Sequence, residues 1–153
     1  MNIFVLDDDI EICAQYHVDK HVVKMILESA QLLSSAVRLS GIDAGYRLTH
    51  QNHPCSIWVR ESLSNWIWLR DLSNALNAEY RYRYDKDINH KSYDVIETLP
   101  EPNIEDLGLT PFRLAMPDDY KTDSAVESYR IYYMNDKRDI ATWKNREIPH
   151  WWK

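Results

Sequence analysis

Glycine is what this sequence most clearly lacks, since it occurs only three times in 153 residues. The three glycines, Gly41, Gly45 and Gly108, do not form a glycine-rich phosphate loop, because such loops need several glycines at close, fixed spacing. A fold built from many tight turns also needs more residues with this conformational freedom. The scarcity therefore excludes a phosphate loop of that kind and disfavours an all-β fold.

Cysteine and long hydrophobic runs are also lacking. The two cysteines, Cys13 and Cys55, are too few for a disulfide scaffold or a four-cysteine zinc site, so we predict two buried free thiols. No apolar stretch approaches the roughly 20 residues that a membrane-spanning helix needs, and no signal peptide is visible. We therefore expect a cytoplasmic protein without membrane contact.

The chain also lacks an excess of positive charge. The chain has 18 Lys and Arg against 24 Asp and Glu, for a net charge of −6. Such a chain has no general attraction for nucleic acid, so any binding must use a local basic patch. What is present is 44% hydrophobic and 12% aromatic residues, which is typical of a globular protein. At this length we predict one domain, 1–153.

The spacing of apolar residues predicts a mainly α fold. Two long helices are expected, at about 12–39 and 54–84, because apolar side chains recur at steps of three and four. Pro54 suits the first turn of the second helix. The shorter predicted elements are a β-prone stretch at 2–6, helices at about 90–99 and 123–136, a proline-containing loop at 100–119 and an aromatic tail at 142–153. We predict a compact bundle in which the two long helices pack antiparallel and the tail tryptophans cover them.

A polar seam runs along the first long helix at alternating steps of four and three. Its members are His17, His21, Lys24, Glu28, Gln31 and Ser35. One interpretation is the solvated side of a core helix. The other is a cleft with acid–base chemistry, in which His21, Lys24 and Glu28 are catalytic and His53 and Arg60 lie nearby. The spacing of His17 and His21 would also allow a shared metal, yet lone histidine pairs are more often structural, so we predict no metal site and no cofactor.

Candidate nucleic-acid contacts occur at the start of the second helix and near the end of the chain. His53 and Pro54 mark a helix N-terminus, where backbone N–H groups can hold a phosphate. Residues 80–84 alternate tyrosine with arginine, a composition suited to stacking on bases and contacting phosphates. The predicted contacts are Asn52, His53, Arg60, Asn65, Arg81, His90, Lys91, Lys144 and Arg146.

Several of these segments resemble a known family. The sequence DKHVV at 19–23, followed by Glu28, resembles the opening helix of the pyrimidine-dimer DNA glycosylases, the bacteriophage endonuclease V type. Residues 66–70 leading to Glu79 are similar to a later helix of that family, and 142–144 to its aromatic, basic tail. The chain also resembles a group of phage proteins of unknown function that share the segments DKHVVKM, NHPC and TPF–AMPD.

The glycosylase resemblance implies a compact, metal-free helical enzyme that attacks a sugar C1′ with its terminal amine. Such enzymes form an imine, break the strand by β-elimination and flip a base out of the duplex. The required glutamate corresponds to Glu28, and the nucleophile to the α-amine of Met1 or to Lys24. The chain departs from the family at Asn2, where a small residue is normal, and at Leu27 and Gln31, where arginines are normal.

We therefore expect a monomeric DNA glycosylase/AP-lyase-like protein that acts on damaged or modified pyrimidines in double-stranded DNA. Two alternatives stay open. One is an enzyme for a modified base or a free nucleotide, with metal dependence through its histidines as one variant. The other is a phage protein that binds nucleic acid without catalysis.

Overall fold

The computed structural model describes residues 1–153 and contains six α-helices and no strand. The helices are α1 (Ile10–Tyr16), α2 (Asp19–Leu39), α3 (Pro54–Glu61), α4 (Leu63–Arg83), α5 (Lys91–Thr98) and α6 (Ala125–Asp136), with single 3-10 turns at Asp118–Tyr120 and Arg138–Ile140. The mainly α prediction is confirmed. None of the helices combines the length and the hydropathy needed to cross a bilayer.

The first predicted long helix, 12–39, is wrong in one respect, because the chain is extended at His17 and Val18 and separates α1 from α2. Arg83 explains the break. Its guanidinium donates to the carbonyl of His17 at 2.7 Å and to that of Gln15 at 2.9 Å. A side chain from α4 thus satisfies carbonyls that an unbroken helix would have bonded internally.

The second predicted long helix, 54–84, is also two helices, separated at Ser62. Ser62 has extended backbone angles, and its hydroxyl donates to Asp106 at 3.2 Å and accepts from the N–H of Leu107 at 2.9 Å. The long loop therefore docks on the break between α3 and α4. Pro54 does lie in the first turn of α3, as expected.

Helices α2 and α4 form the centre of the bundle and run antiparallel. Trp66, near the start of α4, donates its indole N–H to the carbonyl of Leu33 near the end of α2, at 3.2 Å. At the other end, Arg83 pairs with Asp19 at 3.0 Å. Both pairs cross between the two helices, so the core is closed by a hydrogen bond at one end and an ion pair at the other.

The N-terminal segment enters this core without forming the predicted strand. Residues Ile3–Leu6 are buried, but no second strand lies beside them. The β-branched and aromatic residues of this segment are explained by its burial in the core. Such residues are frequent in strands largely because they pack well on a buried surface, so their presence does not require a strand. The segment carries the start of the chain across the bundle to α2.

The loop and the tail cover the sides of the bundle. Phe112 packs on Trp58 and Trp68, with ring centroids 5.1 and 4.8 Å apart. Leu107 and Leu109, in the same loop, are exposed. In the tail, Trp143 and Trp151 are buried, as predicted.

Candidate active site at the N-terminus

Glu28, in the middle of α2, is a buried carboxylate held by two amines. The α-amine of Met1 lies 3.2 Å from its Oε1, and the ammonium of Lys24 lies 3.6 Å from its Oε2. The backbone N–H of Asn2 also donates to Oε1, at 3.2 Å. Only 8% of Glu28 is exposed, so these contacts replace most of the water that a carboxylate would otherwise bind.

The side chain of Asn2 fixes the terminus in this position. Its amide donates to the carbonyl of Ala115 at 3.0 Å. Its amide oxygen accepts from the N–H of Ile3 at 2.8 Å and from the hydroxyl of Tyr129 at 3.3 Å. Residues remote in sequence therefore place the Met1 amine on Glu28, and buried residues 3–6 anchor the segment behind it.

His53 borders the same pair from the start of α3. Its Nδ1 accepts the backbone N–H of Cys55 at 3.1 Å, which caps the helix. The thiol of Cys55 in turn lies 3.6 Å from the amide oxygen of Asn2. Burial first, and then the positive charge of the terminal amine, lower the pKa of His53 below 6.5, so the ring is neutral at pH 7.

An amine touching a buried carboxylate can do defined chemistry. A neutral amine is a nucleophile toward aldehydes and other electrophilic carbons, with which it forms imines. The neighbouring carboxylate accepts the proton that the amine must lose and returns it to a leaving oxygen. Met1, Lys24 and Glu28 therefore form a candidate site for imine chemistry.

Comparison of the chain with protein-family models, with curated proteins and with solved structures found no match. What the site can do is therefore inferred from its own residues.

His21 was predicted to be catalytic together with Lys24 and Glu28, but it does not lie in the site that these two residues form. It stacks on Phe4 at 4.5 Å, and its Nδ1 lies 2.7 Å from the hydroxyl of Tyr133. Burial lowers its pKa to about 3, and it lowers that of His17 to about 4. Both histidines are neutral core residues, because protonation would require a charge inside the bundle.

The predicted seam is therefore not one functional face. His17 lies in the break before α2, and Ser35 is buried and bonds to the backbone of Thr49. Lys24 and Glu28 remain together, with Gln31 partly exposed one turn further on. No group of three His, Cys, Asp or Glu side chains has the arrangement of a metal site.

Glu28 was also expected to line a concave pocket, and none of the five principal surface cavities includes it. The nearest along α2 has a volume of about 440 Å³ and is lined by Leu27, Gln31 and residues 46–49. Gln31 follows Glu28 by one helical turn, so this cavity lies beside the amine–carboxylate pair.

Two of the four residues predicted to contact nucleic acid near α3 are occupied within the protein. Asn65 is fully buried; its amide donates to Trp58 and Thr110 and accepts from the N–H of Thr110. Arg60 donates to the carbonyl of Gln51 at 2.6 Å. Asn65 is thus a core residue, whereas Asn52 is exposed and His53 is half-buried.

The other residues predicted to contact nucleic acid lie near the end of α4 and in the tail. Arg81 donates to backbone carbonyls of the following turn, and His90 caps α5. Arg146 pairs with Glu79 at 2.6 Å and lies 4.3 Å from the ring of Tyr82. The ammonium of Lys144 lies 5.5 Å from the ring of Tyr84, whereas Lys91 is exposed.

Two features of the molecule were missed by the sequence analysis. One is the positioning role of Asn2, whose partners lie more than a hundred residues away. The other is the buried network around Glu79 and Arg83. The i,i+4 spacing of Glu79 and Arg83 was a usable signal for the network. No local pattern pointed to Asn2.

Proposed function

We propose that this protein forms an imine between the α-amine of Met1 and the C1′ carbon of a deoxyribose, as a DNA glycosylase/AP-lyase-like enzyme. The observation that carries the proposal is the 3.2 Å contact between the Met1 amine and Glu28. In an abasic site, C1′ is an aldehyde carbon in the ring-opened sugar. In a damaged or modified nucleoside it bears the base.

Glu28 supplies proton transfer in this proposal. It accepts a proton from the amine, the freed lone pair attacks C1′, and a C–N bond forms. At an abasic site, the hydroxyl oxygen on C1′ then takes a proton and leaves as water, giving the imine. In a nucleoside, the base takes a proton and leaves first, and the C1′–O4′ bond then breaks with a proton passing to O4′, which gives the same imine. Loss of a C2′ proton next breaks the 3′ C–O bond by β-elimination, and water finally releases the amine.

Met1 is a better candidate for the nucleophile than Lys24. Four hydrogen-bonding groups around Asn2 fix the position of the terminus. The side chain of Lys24 is 66% exposed and spans a helix turn to reach Glu28. A fixed amine loses less conformational freedom at the transition state.

The distribution of charge supports DNA as the partner despite the acidic total. Between Asp19 and Asp43, Glu28 is the only acidic residue, and from residue 44 to residue 60 there is none. Arg47 lies in this second segment, is exposed and has no ion-pair partner. The chain around the site is therefore locally basic, which favours contact with phosphates.

Borohydride trapping tests the proposal. Purified protein whose intact mass shows an unmodified Met1 is incubated with a duplex carrying an abasic site, and borohydride reduces any imine to a stable link. We expect an adduct that peptide mapping assigns to Met1. An extension placed before Met1 should abolish the adduct, whereas the same extension at the C-terminus should not.

An adduct on Lys24 would overturn the choice of nucleophile. A wild-type protein that forms no adduct would overturn the proposed function, whether or not it binds DNA at low salt.

A further inference from the structure

Two histidines cap helices in the same way, but only one of them lies beside the candidate site. The Nδ1 of His53 accepts the N–H of Cys55 at 3.1 Å, and the Nδ1 of His90 accepts the N–H of Ser92 at 3.0 Å. The ring of His90 lies beside the backbone of Val23. The Nε2 of His53 has no protein partner.

The cap determines the tautomer of His53. A ring nitrogen that accepts a backbone N–H carries no proton, so the neutral ring bears its proton on Nε2. Protonating the ring would direct an Nδ1–H at the N–H of Cys55 and place a cation at the positive end of α3. His53 is therefore a neutral donor with a fixed Nε2–H.

His53 lies beside the amine–carboxylate pair. Cys55, in the first turn of α3, contacts the side chain of Asn2, whose own N–H binds Glu28. The charges of the terminal amine and of Glu28 both act on the ring of His53, as does that of His50. Only His53 among the capping residues borders the candidate site.

We propose that His53 is a catalytic hydrogen-bond donor, whose Nε2–H polarises the aldehyde oxygen of the substrate while the Met1 amine attacks its carbon. This inference rests on the proposed function. It identifies the ring-opened aldehyde of an abasic sugar as the substrate form that the site recognises. Neutral imidazoles held at helix N-termini polarise carbonyl groups in known enzymes.

The step balances without a proton from His53. The amine lone pair forms the C–N bond, and the C=O π pair moves to oxygen, which Nε2–H stabilises. Glu28 transfers the surplus proton from nitrogen to that oxygen, giving a carbinolamine. A second proton delivered through Glu28 lets the oxygen leave as water while C=N forms.

Two substitutions separate the cap from the donor. In His53→Asn, the amide oxygen takes the place of Nδ1 and can still cap α3, but nothing reaches the position of Nε2. In His53→Gln, the amide N–H reaches about as far as Nε2, but the cap is lost. The same two changes at Asp9 are the matched controls, because its carboxylate caps α1 by accepting the N–H of Ile12 at 3.0 Å and belongs to no part of the site.

The measurements are the rate of borohydride-trapped adduct on an abasic duplex and the Tm. We expect His53→Asn to slow trapping by about 10²-fold, the usual effect of removing one such donor, at an unchanged Tm. His53→Gln should keep most of the rate and lose about 2–4 °C in Tm. Neither change at Asp9 should alter the trapping rate.

Two results would contradict the expected trapping rates, and they have different consequences. If His53→Asn traps at the wild-type rate, or if only His53→Gln is slow, the ring acts as a cap alone and this inference is overturned while the proposed function stands. If wild-type protein traps nothing, the proposed function is overturned and the inference with it.

Discussion

Two buried glutamates in this molecule pair with chemically different cations. Glu28 and Glu79 are 8% and 4% exposed, and each is held by two cationic groups. The partners of Glu79 are the guanidinium groups of Arg83 and Arg146, at 2.8 and 2.6 Å. Those of Glu28 are amines, at 3.2 and 3.6 Å.

The chemical difference between these cations suggests a structural role for the Glu79 pairs and a catalytic role for the Glu28 pairs. A guanidinium stays protonated at all physiological pH values and forms paired, planar hydrogen bonds, so it holds a carboxylate permanently. An amine can lose its proton and become a nucleophile, so its pairing with a carboxylate is reversible. The Glu79 network is suited to joining segments of the chain, and the Glu28 pair is suited to exchanging protons.

The contacts around Arg83 show this joining function. It bonds to Glu79, to Asp19 and to the carbonyls of His17 and Gln15. Asp19 in turn accepts from the backbone N–H of Lys144 in the tail. One buried guanidinium thus ties α4 to the start of α2, and Asp19 extends the connection to the tail.

The largest expected effect comes from removing Arg83. Arg83→Met should destabilise the protein by about 3–5 kcal/mol, because Glu79, Asp19 and the carbonyls at the helix break lose a buried partner. Urea unfolding followed by circular dichroism measures this. Arg81→Met, on the exposed turn of the same helix, is the control and should cost far less. Equal losses for the two variants would contradict a structural role for the network.

Neutralising Glu28 should have the next largest effect, on activity. Glu28→Gln should lower the rate of adduct formation by about 10³-fold, because the amide keeps the shape of the carboxylate and loses proton transfer. Its Tm should change little. Glu79→Gln should reverse the pattern, with a lowered Tm and a retained rate per folded molecule. If both variants lose only stability, the proposed difference between the glutamates is wrong.

A change at Asn2 tests whether positioning of the amine matters. Asn2→Leu should lower the adduct rate by about 10–100-fold, since small displacements of a reacting group are costly. Leucine is chosen because a small residue at position 2 would permit removal of Met1. Asn135→Leu, at an exposed site on α6, is the control, and single-turnover trapping is the measurement. A wild-type rate in Asn2→Leu would show that the terminus needs no such restraint.

The smallest effect is expected at Lys24. If Lys24 contacts a phosphate, Lys24→Ala should weaken DNA binding and reduce the slope of log affinity against log salt by about one. Fluorescence anisotropy at several salt concentrations measures the slope, with Lys86→Ala in an exposed turn as the control. An unchanged slope would leave Lys24 as a partner of Glu28 only.

Local patterns predicted a good part of this molecule. The spacing of apolar residues located the helical regions, and Pro54 marked the start of α3. The i,i+4 spacing of Lys24 and Glu28 predicted their contact, since such residues share a helix face. These features depend on neighbours within one or two turns, so the sequence contains the whole cause.

The interruptions at His17 and at Ser62 were not predictable in this way. Neither position carries a glycine or a proline, and each break is stabilised from elsewhere, by Arg83 in one case and by Asp106 with Leu107 in the other. The same holds for His21, which the spacing placed on the polar seam and the packing of Phe4 and Tyr133 placed in the core.

The sequence by itself determined the helical class of the protein, its buried thiols, and a carboxylate one turn from a lysine on α2. Only the tertiary structure decided that the α-amine of Met1 meets that carboxylate. The physical reason is that a chain terminus has no periodicity that could locate it. Its position follows from the burial of Ile3–Leu6 and from the bonds of Asn2 to Ala115 and Tyr129, which form only when the bundle closes.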